Sequence, residues 1–249
     1  MKVNGIKFTL SGRLGFFKKP DVNVKTYFTY NNIHKVALLG LLGAVLGLKG
    51  YRNSEMFGIK KEEYPEFYQK LSSLKISIVP NSERGYFTKK VQYFNNSVGY
   101  ASGEEGGNLM VFEQWLENPS WDIYLLNDGG VAKEIWDKLC DYLLNDKSVY
   151  IPYLGKNDFH ANISNVQIVE LIPCTSNFIN SLLVGELEYL DDDKTINNDP
   201  PFVFTEYAPI AMEKGYNFYK FGRTIFTNCK VNVLLKDVYQ NDDMFLNFY

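Results

Sequence analysis

Residues 2–35 carry seven basic side chains, Lys2, Lys7, Arg13, Lys18, Lys19, Lys25 and Lys35, against one acid, Asp21. Phe16, Phe17, Tyr27, Phe28 and Tyr30 are interleaved with them. Cations alternating with π faces suit a ligand that offers phosphates and unstacked bases together, as single-stranded nucleic acid does. Gly12 and Gly15 let a backbone approach a phosphate, because no Cβ intervenes. His34 and Lys35 fall in the first turn of an expected helix, where free N–H groups and the helix dipole favour an anion. The alternative for this patch is a solvated loop with its aromatics tucked beneath. For Phe17, core packing and base stacking fit equally well. A second basic stretch, residues 84–108, holds Lys89, Lys90 and Tyr93; its alternative is an ordinary exposed hairpin.

Acid–base and metal chemistry find less material. The chain has two histidines, His34 and His160. A helix N-terminus would lower the pKa of His34 and suit it to act as a neutral base, with Tyr27 and Lys35 nearby in sequence. His160, in the run DFHANI, reads more simply as a packed or surface histidine. Cys140, Cys174 and Cys229 are odd in number and widely spaced, which argues against a disulfide framework and a zinc site and makes a reducing cytoplasm the simplest compartment. Asp191, Asp192 and Asp193 adjoin one another and lack the alternate spacing of a calcium loop. GxxxxGK[ST], HExxH and GxSxG are absent. No metal and no cofactor are expected.

The net charge of −3 hides an asymmetry. Residues 1–100 hold 16 Lys and Arg against 6 Asp and Glu, a charge of +10, and residues 101–249 hold the compensating −13. One half facing a polyanion would explain this, and so would two solvated faces of opposite sign. The longest uncharged apolar run that could concern a membrane, 36–48, is too short to span a bilayer and suits a buried helix.

The elements that would position these residues follow from periodicity. Ile6, Phe8 and Leu10 alternate with polar residues over 3–10, a half-buried strand. The loop to Pro20 and Asp21 precedes a helix from about 33 to 48, with Asn31 or Asn32 as its cap. That helix is apolar nearly all round, and Gly40, Gly43 and Gly47 share one stripe, which predicts close approach of a sheet or partner chain. Residues 61–73 read as a charged, partly helical connector, and 74–79 as a strand. Residues 84–108 end in a Gly-Glu-Glu-Gly-Gly turn and suit a projecting hairpin. Strands follow at 110–116 and 121–126. A helix opened by Asp128 carries Val131, Ile135, Leu139 and Leu143, and another strand spans 166–172. The order β-α-β-β-α-β over 3–172 is the ferredoxin-like arrangement within an α+β class, with 173–249 a small β-rich extension.

The run SGRLGFFKKPDVNVKTYFTYNNIHKVALLGLLGAVLGLKGY resembles the CRISPR-associated Cas five family. Members open with a strand, a G-x-x-x-x-F-x-x-P loop and an A-L-L-G-L-L-G-A-x-L-G helix; Gly12, Phe17, Pro20 and residues 37–47 fill those places. ENPSWDIYL (117–125) and IPYLGKNDFHANI (151–163) also look like family segments, so the resemblance covers about residues 5–172. It implies a ferredoxin-like, RNA-recognition type protein of the repeat-associated mysterious protein superfamily. Such a protein would grip the 5′ handle of the CRISPR RNA at one end of a backbone of Cas seven-type subunits and contact a Cas eight-type large subunit, meeting target DNA only through the complex. The helix wording resembles the type I-B branch, and residues 84–108 resemble the family's thumb. Gly12, Arg13, Gly15, Phe17, Lys18, Lys19, Tyr27, His34, Lys35, Lys89, Lys90 and Tyr93 become the expected RNA contacts. One branch cuts precursor RNA without metal, which needs a base, an acid and a cation on one phosphate. No Lys-His pair stands in or after 84–108, where that branch would carry it, so a non-catalytic role is expected. The rivals are that metal-independent endoribonuclease and a protein-interaction module that never meets RNA.

Overall fold

In this computed structural model, which describes residues 3–21, 26–50, 64–185, 190–231, 235 and 237–249, the alternation at Ile6, Phe8 and Leu10 produces a strand with all three side chains fully buried. The chain runs β1 (Val3–Ser11), β2 (Leu14–Gly15), β3 (Thr26–Tyr27), α1 (Lys35–Leu46) and α2 (Glu66–Leu71). It continues through β4 (Lys75–Pro80), β5 (Lys89–Asn95), β6 (Met110–Glu117), β7 (Ser120–Leu126), α3 (Lys133–Leu144) and β8 (Asn162–Cys174). Beyond these come β9 (Leu183–Val184), β10 (Leu190–Thr195), β11 (Val203–Met212), β12 (Tyr219–Thr227), β13 (Cys229–Val231), β14 (Val238–Asn241) and β15 (Met244–Asn247). The class is α+β and rich in sheet.

Six strands form the main sheet in the order β15-β14-β8-β1-β7-β4, each neighbouring pair antiparallel. Helices α1 and α3 bury Leu38, Leu39, Leu42, Trp136, Leu139 and Leu143 in one cluster with Ile6, Phe8, Leu10, Ile76, Ile78, Ile123 and Leu125. The alternate residues Tyr124, Leu126 and Val79 gather on the other face with Leu171, Leu246 and Phe248. The sheet does not stay open. Ile76 of β4 and Tyr249 exchange backbone hydrogen bonds of 3.2 and 3.1 Å, so the chain beyond β15 lies along the opposite edge. That contact nearly closes the sheet and covers two edges at once. Residues 173–249 are β-rich, but β14 and β15 belong to the main sheet, while β11, β12 and β9 form a three-stranded sheet of their own.

Three local expectations are revised. Helix α1 is capped by His34, because Asn31 and Asn32 are engaged elsewhere: Asn32 accepts from Trp121 Nε1 at 2.9 Å, and Asn31 binds Gly85, Phe87 and Lys89. The close approach along the glycine stripe is made by α2. A Cβ on Gly43 would lie 2.6 Å from Phe67 Cβ, whereas Gly47 serves as the left-handed cap at φ 77°. The hairpin expected at 84–108 is formed by β5 and β6, paired from Lys89↔Leu116 to Asn95↔Met110, so the strand expected to stand apart at 110–116 is its second arm. Lys2, Lys25 and the first residues of the connector at 61–63 lie outside the described residues.

Candidate nucleic-acid interface

The loop after β1 folds back on residues 26–30. Phe17 N–H donates to Thr29 Oγ1 at 2.9 Å, Tyr30 N–H to the Phe17 carbonyl and Lys19 N–H to the Phe28 carbonyl, both at 2.8 Å. This pairing sorts the basic-aromatic stretch between core and surface. Phe16, Phe17 and Tyr30 point inward and are buried, while Lys18 faces outward with its ammonium 3.6 Å from the Tyr27 ring centroid, a cation–π contact.

Lys19 reaches into a cleft of about 720 Å³. One wall comes from the loop and from residues 28–31, another from Tyr86 and Lys89, and a third from β11 and β12, through Phe204, Glu206, Tyr207 and Phe221. Lys19 Nζ lies 2.9 Å from Glu206 Oε1, and Glu206 Oε2 accepts the Asn31 N–H at 2.9 Å. Lys89 Nζ donates to Asn31 Oδ1 at 2.8 Å and sits 3.8 Å from the centroid of Tyr86. Burial pushes the Lys89 ammonium down to about 8, with Glu206 opposing the shift and Lys19 adding to it. Phe28, Tyr86, Tyr207 and Phe221 are exposed around the opening. Two ammonium groups that line one cleft with exposed aromatic rings can hold a phosphate and stack a base, the phosphate taking the place of Glu206 at Lys19 against the further carboxylate of Asp21.

Behind this cleft stands a closed aromatic knot. His34 is buried, and its Nδ1 accepts from the Ala37 N–H at 3.2 Å. Tyr30, Tyr219 and Phe17 meet its ring edge-on at centroid distances of 5.4, 5.6 and 6.2 Å. Burial pushes its pKa down to about 3. The expectation that His34 meets an anion at the helix N-terminus is therefore corrected: the ring is enclosed, neutral and occupied as a cap. Phe17 is likewise a core residue, edge-on to Trp121.

The other expected contacts divide. Lys19 and Lys89 meet in the cleft, and Lys18 and Tyr27 form a pair on the neighbouring surface. Arg13 is exposed in the turn between β1 and β2. Gly12 and Gly15 are filled by protein: a Cβ would come 2.6 Å from Leu154 Cδ1 at the first and 3.3 Å from Pro119 Cγ at the second. Lys35 Nζ turns away to the Tyr249 carbonyl at 2.8 Å, and burial lowers it to about 8. Lys90 pairs with Glu117 at 3.7 Å, and Tyr93 stacks on Phe112 at 4.3 Å along the hairpin. The wall from β11 and β12 was missed. It lies in a segment more than 170 residues from the loop it faces, and Val203, Phe204, Thr205, Glu206 and Tyr207 carry no apolar–polar alternation that would mark it.

Among the described residues, no group of three metal-ligating side chains comes together, and no helix is long and apolar enough to cross a membrane. No protein-family model matches the sequence, and no curated protein matches it. A chain of a CRISPR RNA-guided surveillance complex, 12% identical, aligns over 92% of each chain with a TM-score of 0.50. A CRISPR protein from Archaeoglobus fulgidus, 10% identical, aligns over 98% of this chain and 97% of its own with a TM-score of 0.47. A Cas protein, 11% identical, aligns over 91% and 95% with a TM-score of 0.45. At such identities the likeness to the first is one of fold.

Proposed function

We propose that this chain is a non-catalytic RNA-binding subunit of a CRISPR ribonucleoprotein complex, holding the single-stranded 5′ handle of the guide RNA. The observation that carries this reading is the cleft, which Lys19 and Lys89 line together with the exposed rings of Phe28, Tyr86, Tyr207 and Phe221. Such a combination grips a phosphate backbone and stacks bases without demanding one sequence. The fold shared with a surveillance-complex chain supports placement in such an assembly, beside Cas seven-type and Cas eight-type subunits. The sheet order β8-β1-β7-β4 with α1 and α3 as crossovers supports a ferredoxin-like frame for residues 1–172, to which the C-terminal extension adds one wall of the cleft. The hairpin β5–β6 takes the place of the thumb. A binding role also fits the enclosure of His34, which cannot reach a 2′-hydroxyl.

The test is to purify the chain with its complex and identify by mass spectrometry the RNA that comes with it. Guide RNA with its 5′ end protected from nuclease by this subunit is the expected result. A nucleic-acid-free subunit, with no affinity for handle RNA, overturns the reading. Incubation of repeat RNA with EDTA is expected to leave it intact; site-specific cutting at the handle's 5′ end would replace the binding role with an enzymatic one.

A further inference from the structure

The cleft does not end at Phe221. Strands β11 and β12 run on from it as a hairpin, with Pro209 opposite Phe221 and Met212 opposite Tyr219. The Glu213 N–H donates to the Phe218 carbonyl at 2.8 Å and closes the turn. At the tip Tyr216 and Phe218 are 82% and 65% exposed, with ring planes 15° apart and centroids 5.7 Å apart. Gly215 at φ 94° and Asn217 at φ 55° set the turn that presents the two rings. The two rings form one exposed aromatic patch at the hairpin's tip. Lys214 and Lys220 are exposed on either side, against one exposed acid, Glu213.

We infer that the β11–β12 hairpin is a second stacking station for the single strand held in the cleft, engaging its bases as it leaves past Phe221. The inference rests on the cleft's being an RNA site. Two observations select this occupant. Tyr207 and Phe221 belong to both the cleft rim and the hairpin, so one ligand can pass from the first to the second. Phe218 stands just before β12, three residues from Phe221 and roughly 10 Å from it at the rise of a β-strand, on the alternate face, so the strand reaches it across the hairpin's end. The flanking ammonium groups complement phosphates. Parallel rings held by a tight turn also present their π faces already oriented, which lowers the ordering cost of binding.

Binding of unstructured RNA strands of roughly 4 and roughly 12 nucleotides, spanning the site sizes of single-strand grooves, tests this. The double variant Tyr216→Ser, Phe218→Ser is expected to bind the longer strand about tenfold more weakly. Its affinity for the shorter strand and its thermal unfolding should match wild type. Equal loss for both lengths, or none for either, overturns the hairpin station. If neither strand binds the double variant but both bind the Lys19→Gln, Lys89→Gln variant, the cleft reading falls instead. If the double variant does not fold, ultraviolet crosslinking of the longer strand to wild type decides: adducts on Tyr216 or Phe218 support the station, and their absence overturns it. Normal RNA binding with loss of incorporation into the complex assigns the tip to a protein contact and also overturns it.

Discussion

Two aromatic clusters share Tyr30 as their wall, and they use the same residue types to opposite ends. On one side Phe17, Tyr30 and Tyr219 close around the imidazole of His34. On the other, Phe28, Tyr86, Tyr207 and Phe221 stand open around two ammonium groups. In the knot, burial keeps the ring neutral and leaves it one task, the cap of α1. In the cleft, Lys19 and Lys89 keep polar partners that a phosphate can exchange for, Glu206 and Asn31. Enclosure, rather than residue type, separates a structural cluster from a binding one.

The largest expected effect comes from breaking the knot. His34→Ala removes a cap and opens a buried cavity, so it should lower stability by about 2–4 kcal/mol in denaturant titrations. The folded fraction should bind RNA as wild type does, and reduced affinity in that fraction would return His34 to the interface. The same residue gives a pH signature. Its folded pKa near 3 lies below the ordinary 6.5, so the unfolded chain takes up a proton that the folded chain refuses as pH falls. Stability from this group is complete above 6.5 and is lost between 6.5 and 3, at up to about 1.4 kcal/mol per pH unit. His34→Asn, which can still cap, should flatten that slope relative to wild type. An unchanged difference between pH 7 and pH 5 would mean the ring is not enclosed.

The second effect belongs to the cleft. Lys19→Gln with Lys89→Gln should weaken handle binding and flatten the slope of log K against log salt by about 1.4, from two phosphate contacts of about 0.7 each. The melting temperature should move little, since glutamine keeps much of the side-chain stem and a polar tip for Glu206 and Asn31. An unchanged slope would remove the cleft from the RNA path.

Part of this arrangement was legible in the sequence. The strand of residues 3–10 and the apolar helix follow from periods of 2 and near 3.6, and structure agrees with both to within a few residues. The glycine stripe foretold a close approach, but one-dimensional spacing does not name the neighbour, and Phe67 of α2 was the element that came close. The basic loop pointed to Lys19. It could not show that pairing with residues 26–30 would turn Phe17 inward and Lys18 outward, because one residue of register exchanges the faces. Glycine is equally ambiguous: absence of a Cβ serves a phosphate or a leucine, and Leu154 occupies the space at Gly12. Glu206 and Tyr207 were out of reach, since no local pattern ties them to Lys19.

A third, smaller effect sharpens the contrast between the two lysines with lowered pKa. Lys89 lies in the cleft and Lys35 on the far side of α1's first turn, and burial brings each to about 8. An ammonium that serves a phosphate must be charged, so raising pH from 7 to 9 removes charge from Lys89 and should weaken RNA binding several-fold at constant salt. Lys89→Arg, charged throughout, should abolish this dependence, whereas Lys35→Arg should leave it intact. The reverse pattern would move the RNA path to the side of Tyr249.

The smallest expected effect concerns cations outside the cleft. Arg13 is exposed in the β1–β2 turn, and Lys90 faces away from Lys89 because adjacent strand residues point to opposite faces. Lys90 also has Glu117 at 3.7 Å, a partly exposed pair of the kind that contributes little to stability. Arg13→Ala and Lys90→Ala together should therefore leave melting unchanged and weaken handle binding only through the long-range field. That loss should vanish above about 0.15 M salt, where charges more than about 8 Å apart are screened. The cleft variants should keep their deficit under those conditions, because a contact phosphate is nearer than the screening length. If the outer pair instead flattens the salt slope by a further 1.4 or so, both side chains touch phosphates, and the RNA extends across the hairpin's other face.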